Sequence, residues 1–236
     1  MVENNLSQCF KDVSETTNRY FRYLHLAYFY DGLSKRLNFS RIAVDINVVT
    51  GQQEGYVLNG SIINQMLDDI YSKPDTQSFF GYLAMINSIR GICMAYFEAF
   101  QNEQFNAILL ENIFNNDTDK FFNFQGVIRF VRNTLSHNTR DRILIYEEDY
   151  RQQREWWERE GVPDNTRIHF EYDYSLESSA IYQRDYKSKI DVLIEWNLMK
   201  DETPYAEIIP TFQNLMLSEF CYNIIHHLNK KEILST

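Results

Sequence analysis

Residues 79–100, with the sequence FFGYLAMINSIRGICMAYFEAF, form the most apolar stretch of the chain and decide its fold. Large apolar side chains recur there at intervals of three or four and cover most of the circumference of a helix. They are Phe79, Phe80, Leu83, Ile86, Ile89, Ile92, Cys93, Tyr96, Phe97 and Phe100. A helix that is apolar nearly all round is buried by others, so we predict a central bundle helix opened by Asp75 or Thr76.

Helical patterns also flank this stretch on both sides. They cover residues 6–37, 61–71, 104–114, 119–137, 147–160, 178–199 and 206–229, with Ser61 as the expected cap of the second. Patterns of short strands occupy 41–49, 143–146 and 167–174. Only 8 Gly and 4 Pro in 236 residues favour long helices. We therefore predict one mainly α domain over 1–236, an up-and-down helical bundle with an extended arm near 41–60 and an inserted β-containing segment near 143–175.

The charge is unevenly distributed along the chain. The formal net charge is −10 and the pI is near 5.0, which argues against a surface that coats nucleic acid. Residues 120–142 are the exception, because they contain five basic side chains and one acidic side chain, Asp141, and so carry a net charge of +4. The rest of the chain therefore carries a net charge of −14. This basic island indicates either a local site for an anion or arginines that complement the dipole at a helix C-terminus.

The basic island contains residues 130–138, FVRNTLSHN, where an Arg, an Asn and a His interrupt an apolar helical run. Asn133 and His137 are four positions apart and share a helix face, whereas Arg132 and His137 are separated by about 140°. The spacing alone is weak evidence, because Arg19 and His25 nearly match it. The position at a helix end and the basic surroundings distinguish Arg132 and His137.

At Arg132-Asn133-Thr134-Leu135-Ser136-His137 the chain resembles the ribonucleases of the HEPN superfamily, the higher eukaryotes and prokaryotes nucleotide-binding domains. These carry an Arg, a polar residue, three further residues and a His near the end of a bundle helix. The resemblance covers residues 76–142 and the closing helices. The arm and the insertion of this chain have no counterpart in the family pattern.

The resemblance implies metal-independent cleavage of RNA, without a cofactor, by a homodimer whose two motifs face one cleft. The ribose 2′-hydroxyl attacks the adjacent phosphate and leaves a 2′,3′-cyclic phosphate. Arg132 suits the developing negative charge, His137 can move the proton, and Asn133 can orient the imidazole or the RNA. We expect further RNA contacts from Arg129, Ser136, Asn138, Arg140 and Arg142. A toxin or antiphage nuclease of this kind requires restraint, so a cognate antitoxin or inhibitor protein is an expected partner.

Two alternatives stay open for the motif. Arg132 and His137 can simply close a helix terminus and pair with carboxylates such as Asp141, and some HEPN-like domains bind nucleotides or partners without cutting. The chain can also be an unrelated helical protein. These alternatives differ from the nuclease in that they predict no cleavage of RNA.

Other candidate sites carry weaker signals. Glu219 and His226 share a helix face but lack a third inward metal ligand, and we expect no metal site. Trp156-Trp157 lies among Arg151, Arg154 and Arg159 and suits either base stacking or an interface, and the acidic surroundings favour the interface.

The cysteines and the N-terminus bear on the cellular compartment. Cys9, Cys93 and Cys221 are far apart and lie in apolar runs, so we expect buried thiols in a reducing compartment. The polar N-terminus lacks a signal-peptide core, and no apolar run approaches the ~18 residues of a membrane span. We therefore expect a cytoplasmic protein with no membrane partner.

Overall fold

The computed structural model describes residues 6–34, 46–49, 55–72, 79–137, 143–160, 166–176, 186–196 and 198–230. In these ranges the helices are α1 (Leu6–Ser34), α2 (Gly60–Tyr71), α3 (Phe79–Ala99), α4 (Glu103–Asn112), α5 (Thr118–His137), α6 (Glu147–Arg159), α7 (Tyr205–Ile208) and α8 (Thr211–Lys230). The strands are β1 (Ile46–Val49), β2 (Gly55–Leu58), β3 (Leu144–Ile145), β4 (Arg167–Leu176), β5 (Tyr186–Glu195) and β6 (Thr203–Pro204). They form antiparallel pairs β1–β2, β3–β6 and β4–β5. The prediction of a mainly helical protein with a small β part is confirmed.

The contacts within the chain separate two compact units. One consists of Met1–Arg22 together with Met85–Thr236, and the other of Tyr23–Ala84. We call them the large unit and the small unit. The arrangement as one domain over 1–236 with an inserted segment stays a prediction.

In the large unit, short polar segments start α4 and α5, and α5 carries the candidate site. The side chain of Asn102 accepts a hydrogen bond from the backbone N–H of Phe105 at 3.0 Å and caps α4. Asn115 and Asn116 then adopt the left-handed conformation, with φ of 52° and 62°, which asparagine tolerates better than most residues. Asp117 Oδ1 accepts from the backbone N–H of Lys120 at 3.0 Å and so begins α5.

The core of the large unit is a cluster of aromatic rings from α3, α4, α5, β4 and α8. Phe124 of α5 lies at its centre, fully buried, with five ring centroids at 5.4–5.9 Å. Those rings belong to Tyr96, Phe100, Phe114, Phe170 and Phe220. The prediction of a buried α3 is confirmed for the part of α3 in this unit, because Ile89, Ile92 and Tyr96 are fully buried.

One strand of a long β-hairpin, β5, occupies a segment that we predicted to be helical, whereas the strand predicted over 167–174 is confirmed as β4. The helix expected over 178–199 is wrong for residues 186–195, which form β5 and pair along ten positions with β4. Ile190, Val192 and Ile194 are buried, whereas Asp191 and Leu193 between them are exposed. This alternation is the period of a strand with one face on the core, and antiparallel pairing with β4 satisfies its backbone groups.

The final helix of the large unit lies close to its predicted position, unlike β5. The helix expected over 206–229 is present as α8, which starts at Thr211 after the short α7. The helices predicted over 119–137 and 147–160 are confirmed within one residue as α5 and α6.

The small unit contains the predicted strand near 41–49, of which β1 is described. Strand β2 pairs with β1 and completes a hairpin that was not predicted from the sequence.

The cap of α2 is Asn59 rather than Ser61, because Asn59 Oδ1 accepts from the backbone N–H of Ile62 at 3.1 Å. At the described start of α3, the buried Asp31 carboxylate accepts from the backbone N–H groups of Phe80 and Gly81 at 3.2 and 2.6 Å. The predicted helix start at Asp75 or Thr76 and the stop at 73–75 lie outside the described residues.

A buried carboxylate in α8 leads to a prediction about pH. Burial raises the pKa of Glu219 from 4.5 to about 7, although a hydrogen bond from Asn223 opposes the rise. Between these two pH values the folded protein holds a proton that the unfolded chain has released, so its stability falls as the pH rises. We expect Glu219→Gln to stabilise the protein by about 1–3 kcal/mol at pH 8 and to change little at pH 4.5.

Urea unfolding at both pH values measures this effect. Glu111→Gln on α4 is the matched control, because Glu111 is exposed and its replacement should leave the stability unchanged at either pH. A gain in stability of equal size at pH 4.5 and pH 8 would show that the charge of Glu219 is not responsible.

Candidate functional site

One stripe of α5 brings together four of the predicted site residues. Arg129, Arg132, Asn133 and Ser136 follow the spacing i, i+3, i+4 and i+7 and therefore share one helix face. All four are half-buried, whereas the adjacent Phe130, Val131 and Leu135 are buried in the core. The apolar side of α5 thus fixes the rotation of the helix and leaves the polar stripe at the edge of the core.

Arg132 is held by two contacts in the large unit. Its Nη1 donates to Asn133 Oδ1 at 2.9 Å, and its Cζ lies 4.8 Å from the centroid of the Phe97 ring. The first contact comes from the neighbouring residue of α5 and the second from α3. Together they orient the plane of the guanidinium group.

Arg129 lies one helical turn before Arg132 and also contacts aromatic rings. Its Cζ is 4.1 Å from the Trp156 ring centroid and 5.3 Å from that of Phe97. Burial lowers the pKa of Arg129, and the charge of Glu160 acts in the opposite direction. Since an arginine remains protonated at neutral pH, the rings and Glu160 stabilise a cation that is partly removed from water.

The two adjacent tryptophans have different environments. Trp157 is 1% exposed and packs in the core, where its ring fills the space beside Gly126. Trp156 is half-buried and stacks on Phe122 with centroids 4.9 Å apart and an interplanar angle of 28°. Because Trp156 contacts both Phe122 and Arg129 within the chain, intramolecular partners occupy the stacking surface considered for bases. The interface interpretation of Trp156-Trp157 is wrong for Trp157, which is buried in the core, and stays a prediction for Trp156.

The other predicted site residues lie wholly or partly outside the described part of the structure, except Ser136. His137 is the last residue of α5, but its side chain lies outside the described part of the structure, as do Asn138, Arg140 and Arg142. Ser136 Oγ is buried and has no hydrogen-bond partner among the described residues.

The secondary candidates were also located. Among the described residues, no three His, Cys, Asp or Glu side chains are grouped closely enough to hold a metal ion, and His226 stacks on Tyr222. His169 is exposed on β4, with Nε2 3.0 Å from Asp191 Oδ1. Cys93 and Cys221 are buried as predicted, whereas Cys9 is half-buried.

No helix in the described ranges is long and apolar enough to cross a membrane.

Sequence reasoning missed three members of this site. Phe97 and Trp156 contact the two arginines and Phe122 stacks on Trp156, yet the sequence indicated Phe97 only as an apolar residue of the predicted central helix and Trp156 as an interface residue. The helical periodicity of α3 identified Phe97 as apolar, but it does not show which side chain of another helix faces it.

Comparison of the chain with protein-family models, with curated proteins and with solved structures found no match. The function is therefore inferred from the geometry of the α5 stripe and from the residues that it contains.

Proposed function

We propose that this chain is a metal-independent endoribonuclease of the HEPN type, acting as a toxin or in antiphage defence. The observation that carries the proposal is the stripe on α5, in which Arg132 and Asn133 are joined by a 2.9 Å hydrogen bond and His137 ends the same helix. The mainly helical architecture is compatible with a HEPN-like up-and-down bundle.

The proposed chemistry uses the RNA itself as the nucleophile. The ribose 2′-oxygen attacks the adjacent phosphorus while His137 accepts the 2′-hydroxyl proton, and the bond from phosphorus to the 5′-oxygen breaks. The 5′-oxygen takes a proton from water and leaves as a hydroxyl, His137 returns its proton to the solvent, and the other product carries a 2′,3′-cyclic phosphate. The requirement for a 2′-hydroxyl makes RNA the substrate and excludes DNA.

Arg132 and Asn133 bind the phosphate in this proposal. Negative charge grows on the phosphoryl oxygens in the transition state, and the fixed cation of Arg132 stabilises it. Because Asn133 Oδ1 accepts from Arg132, its amide Nδ2 remains a donor for a phosphate oxygen or the imidazole. Arg129, Ser136, Asn138, Arg140 and Arg142 extend the RNA contact along the basic island.

The active site is composite in this proposal. Two copies of the chain place their α5 C-termini in one cleft, so that the Arg132 and His137 residues of both subunits surround one phosphate. A cognate antitoxin or inhibitor protein restrains the nuclease in the cell.

A second function is favoured by one specific observation. Arg129 and Arg132 are engaged by aromatic rings within the chain, which suits a rigid basic surface that binds without cutting. The alternative is therefore a non-catalytic HEPN-like dimeric scaffold that binds a nucleotide or a protein partner.

Incubation of the purified protein with end-labelled single-stranded RNA in excess chelator separates the two functions. The nuclease proposal predicts cleavage by the wild type, much slower cleavage by Arg132→Ala and none by His137→Ala. Arg19→Ala and His169→Ala are matched controls, because both side chains are exposed and lie outside α5. If RNA is bound but stays intact with the wild type, the scaffold is the better account.

A further inference from the structure

Five side chains of the large unit contact one another in series and form a column. The column begins with two stacked aromatic rings, and guanidinium groups and rings alternate after them. In order they are Phe122, Trp156, Arg129, Phe97 and Arg132. The successive separations, measured between ring centroids or from Cζ to a centroid, are 4.9, 4.1, 5.3 and 4.8 Å. We call this set the stacking column.

Three helices contribute to the stacking column. Phe122, Arg129 and Arg132 belong to α5, Phe97 to α3 and Trp156 to α6. The orientation of Arg132 therefore depends on packing between helices and not only on the conformation of α5. An arginine that is stacked before the substrate arrives has already lost most of its rotamer freedom, which favours a reaction that requires its exact placement.

The stacking column also contains an unfavourable feature. Arg129 and Arg132 are cations three positions apart on one helix, and like charges at this spacing repel. The Phe97 ring contacts both guanidinium groups, so its π-electrons attract each cation. The two contacts to Phe97 therefore offset part of the repulsion between the arginines.

We infer that Phe97 and Trp156, which lie outside the Arg–His motif, are positioning residues that hold the guanidinium group of Arg132 through the stacking column. Trp156 acts on Arg129, and Phe97 acts on Arg129 and Arg132 together. The inference rests on the proposed nuclease function for its catalytic consequence, but the stacking of the arginines is measurable without any activity.

The test uses the 236-residue chain with four substitutions, of which Trp156→Leu removes the ring that contacts Arg129. Phe97→Leu removes the ring and keeps apolar bulk, Phe97→Tyr keeps the ring, and Ile86→Ala removes a half-buried apolar group of α3 away from the arginines. Arginine side-chain NMR follows the Nε–H resonances of Arg129 and Arg132, which a neighbouring ring displaces. RNA cleavage in chelator then gives kcat and KM for each variant.

We expect Phe97→Leu to shift both arginine resonances towards the values of a free side chain and to lower kcat about tenfold with little change in KM. Phe97→Tyr should retain the resonances and most of kcat, and Ile86→Ala should alter neither. Trp156→Leu should shift Arg129 more than Arg132, because only Arg129 contacts that ring directly.

Two outcomes would overturn the inference. One is an Arg132 resonance that is unchanged in Phe97→Leu, and the other is an equal loss of kcat in Phe97→Leu, Phe97→Tyr and Ile86→Ala. If the wild type does not cleave RNA, the proposed nuclease function fails, and the NMR experiment still decides whether Phe97 and Trp156 position the arginines.

Discussion

Replacement of Arg132 by alanine is expected to lower the rate of RNA cleavage by about 100- to 1000-fold. The reason is that the transition state concentrates negative charge on the phosphoryl oxygens, and removal of one well-placed donor to such charge costs about this much. The loss should appear in kcat rather than KM, since the contact strengthens as the charge develops. Single-turnover cleavage of a short labelled RNA measures it.

Two variants serve as comparisons for Arg132→Ala. Arg132→Lys keeps the positive charge but loses the planar fork that bonds Asn133 and stacks on Phe97, so it should recover less than a tenth of the lost rate. Arg19→Ala removes a cation whose side chain is 79% exposed and should cleave as fast as the wild type. A rate for Arg132→Ala within threefold of the wild type would exclude Arg132 from the chemistry.

Phe124→Ala is expected to destabilise the protein by about 3–5 kcal/mol, the largest effect on stability that we expect for a single substitution. Phe124 is fully buried and has five aromatic neighbours in the large unit, so truncation leaves a cavity and breaks several ring contacts. Since most domains are only about 5–15 kcal/mol stable, the variant should unfold at a much lower urea concentration.

Phe212→Ala is the matched control for Phe124→Ala. Phe212 is 60% exposed on α8, and its truncation should change the free energy of unfolding by less than about 0.5 kcal/mol. Phe124→Leu should fall between the two, because it keeps most of the apolar volume. A cost below about 1 kcal/mol for Phe124→Ala would show that the aromatic cluster is not the core of the large unit.

The helix that carries the candidate site was predictable from the sequence because local signals agree there. The polar segment at 115–119 supplies a turn and a cap, and apolar residues then recur with the helical period until Leu135. Asp117 caps α5 in the structure, and the helix begins one residue before the predicted start. The half-buried stripe of Arg129, Arg132 and Asn133 follows from the same periodicity.

The strand β5 was not predicted because its pattern has two interpretations. Residues 186–195, YKSKIDVLIE, contain charged residues with good helix propensity, and these favoured a helix over 178–199. The β-branched residues Ile190, Val192 and Ile194 at every second position are the signal that identifies the strand. Pairing with β4 over ten positions outweighs the helix propensity of the segment.

The stacking column could not be predicted from sequence patterns, for a different reason. Periodicity assigns a residue to a face of its own helix, but the meeting of Phe97 of α3 with Arg129 and Arg132 of α5 depends on how the two helices pack. The same holds for Trp156, which sequence context alone placed in an acidic, exposed segment. Contacts between distant parts of the chain require the tertiary structure.

The chemistry of the RNA ends tests the central claim most directly. Wild-type protein is incubated with RNA in excess chelator, and the products are analysed for their terminal groups by mass spectrometry. The proposed mechanism predicts fragments with a 2′,3′-cyclic phosphate and a 5′-hydroxyl, formed by the wild type and absent with His137→Ala. RNA that remains intact, cleavage that the chelator abolishes, or fragments with a 5′-phosphate and a 3′-hydroxyl would contradict it.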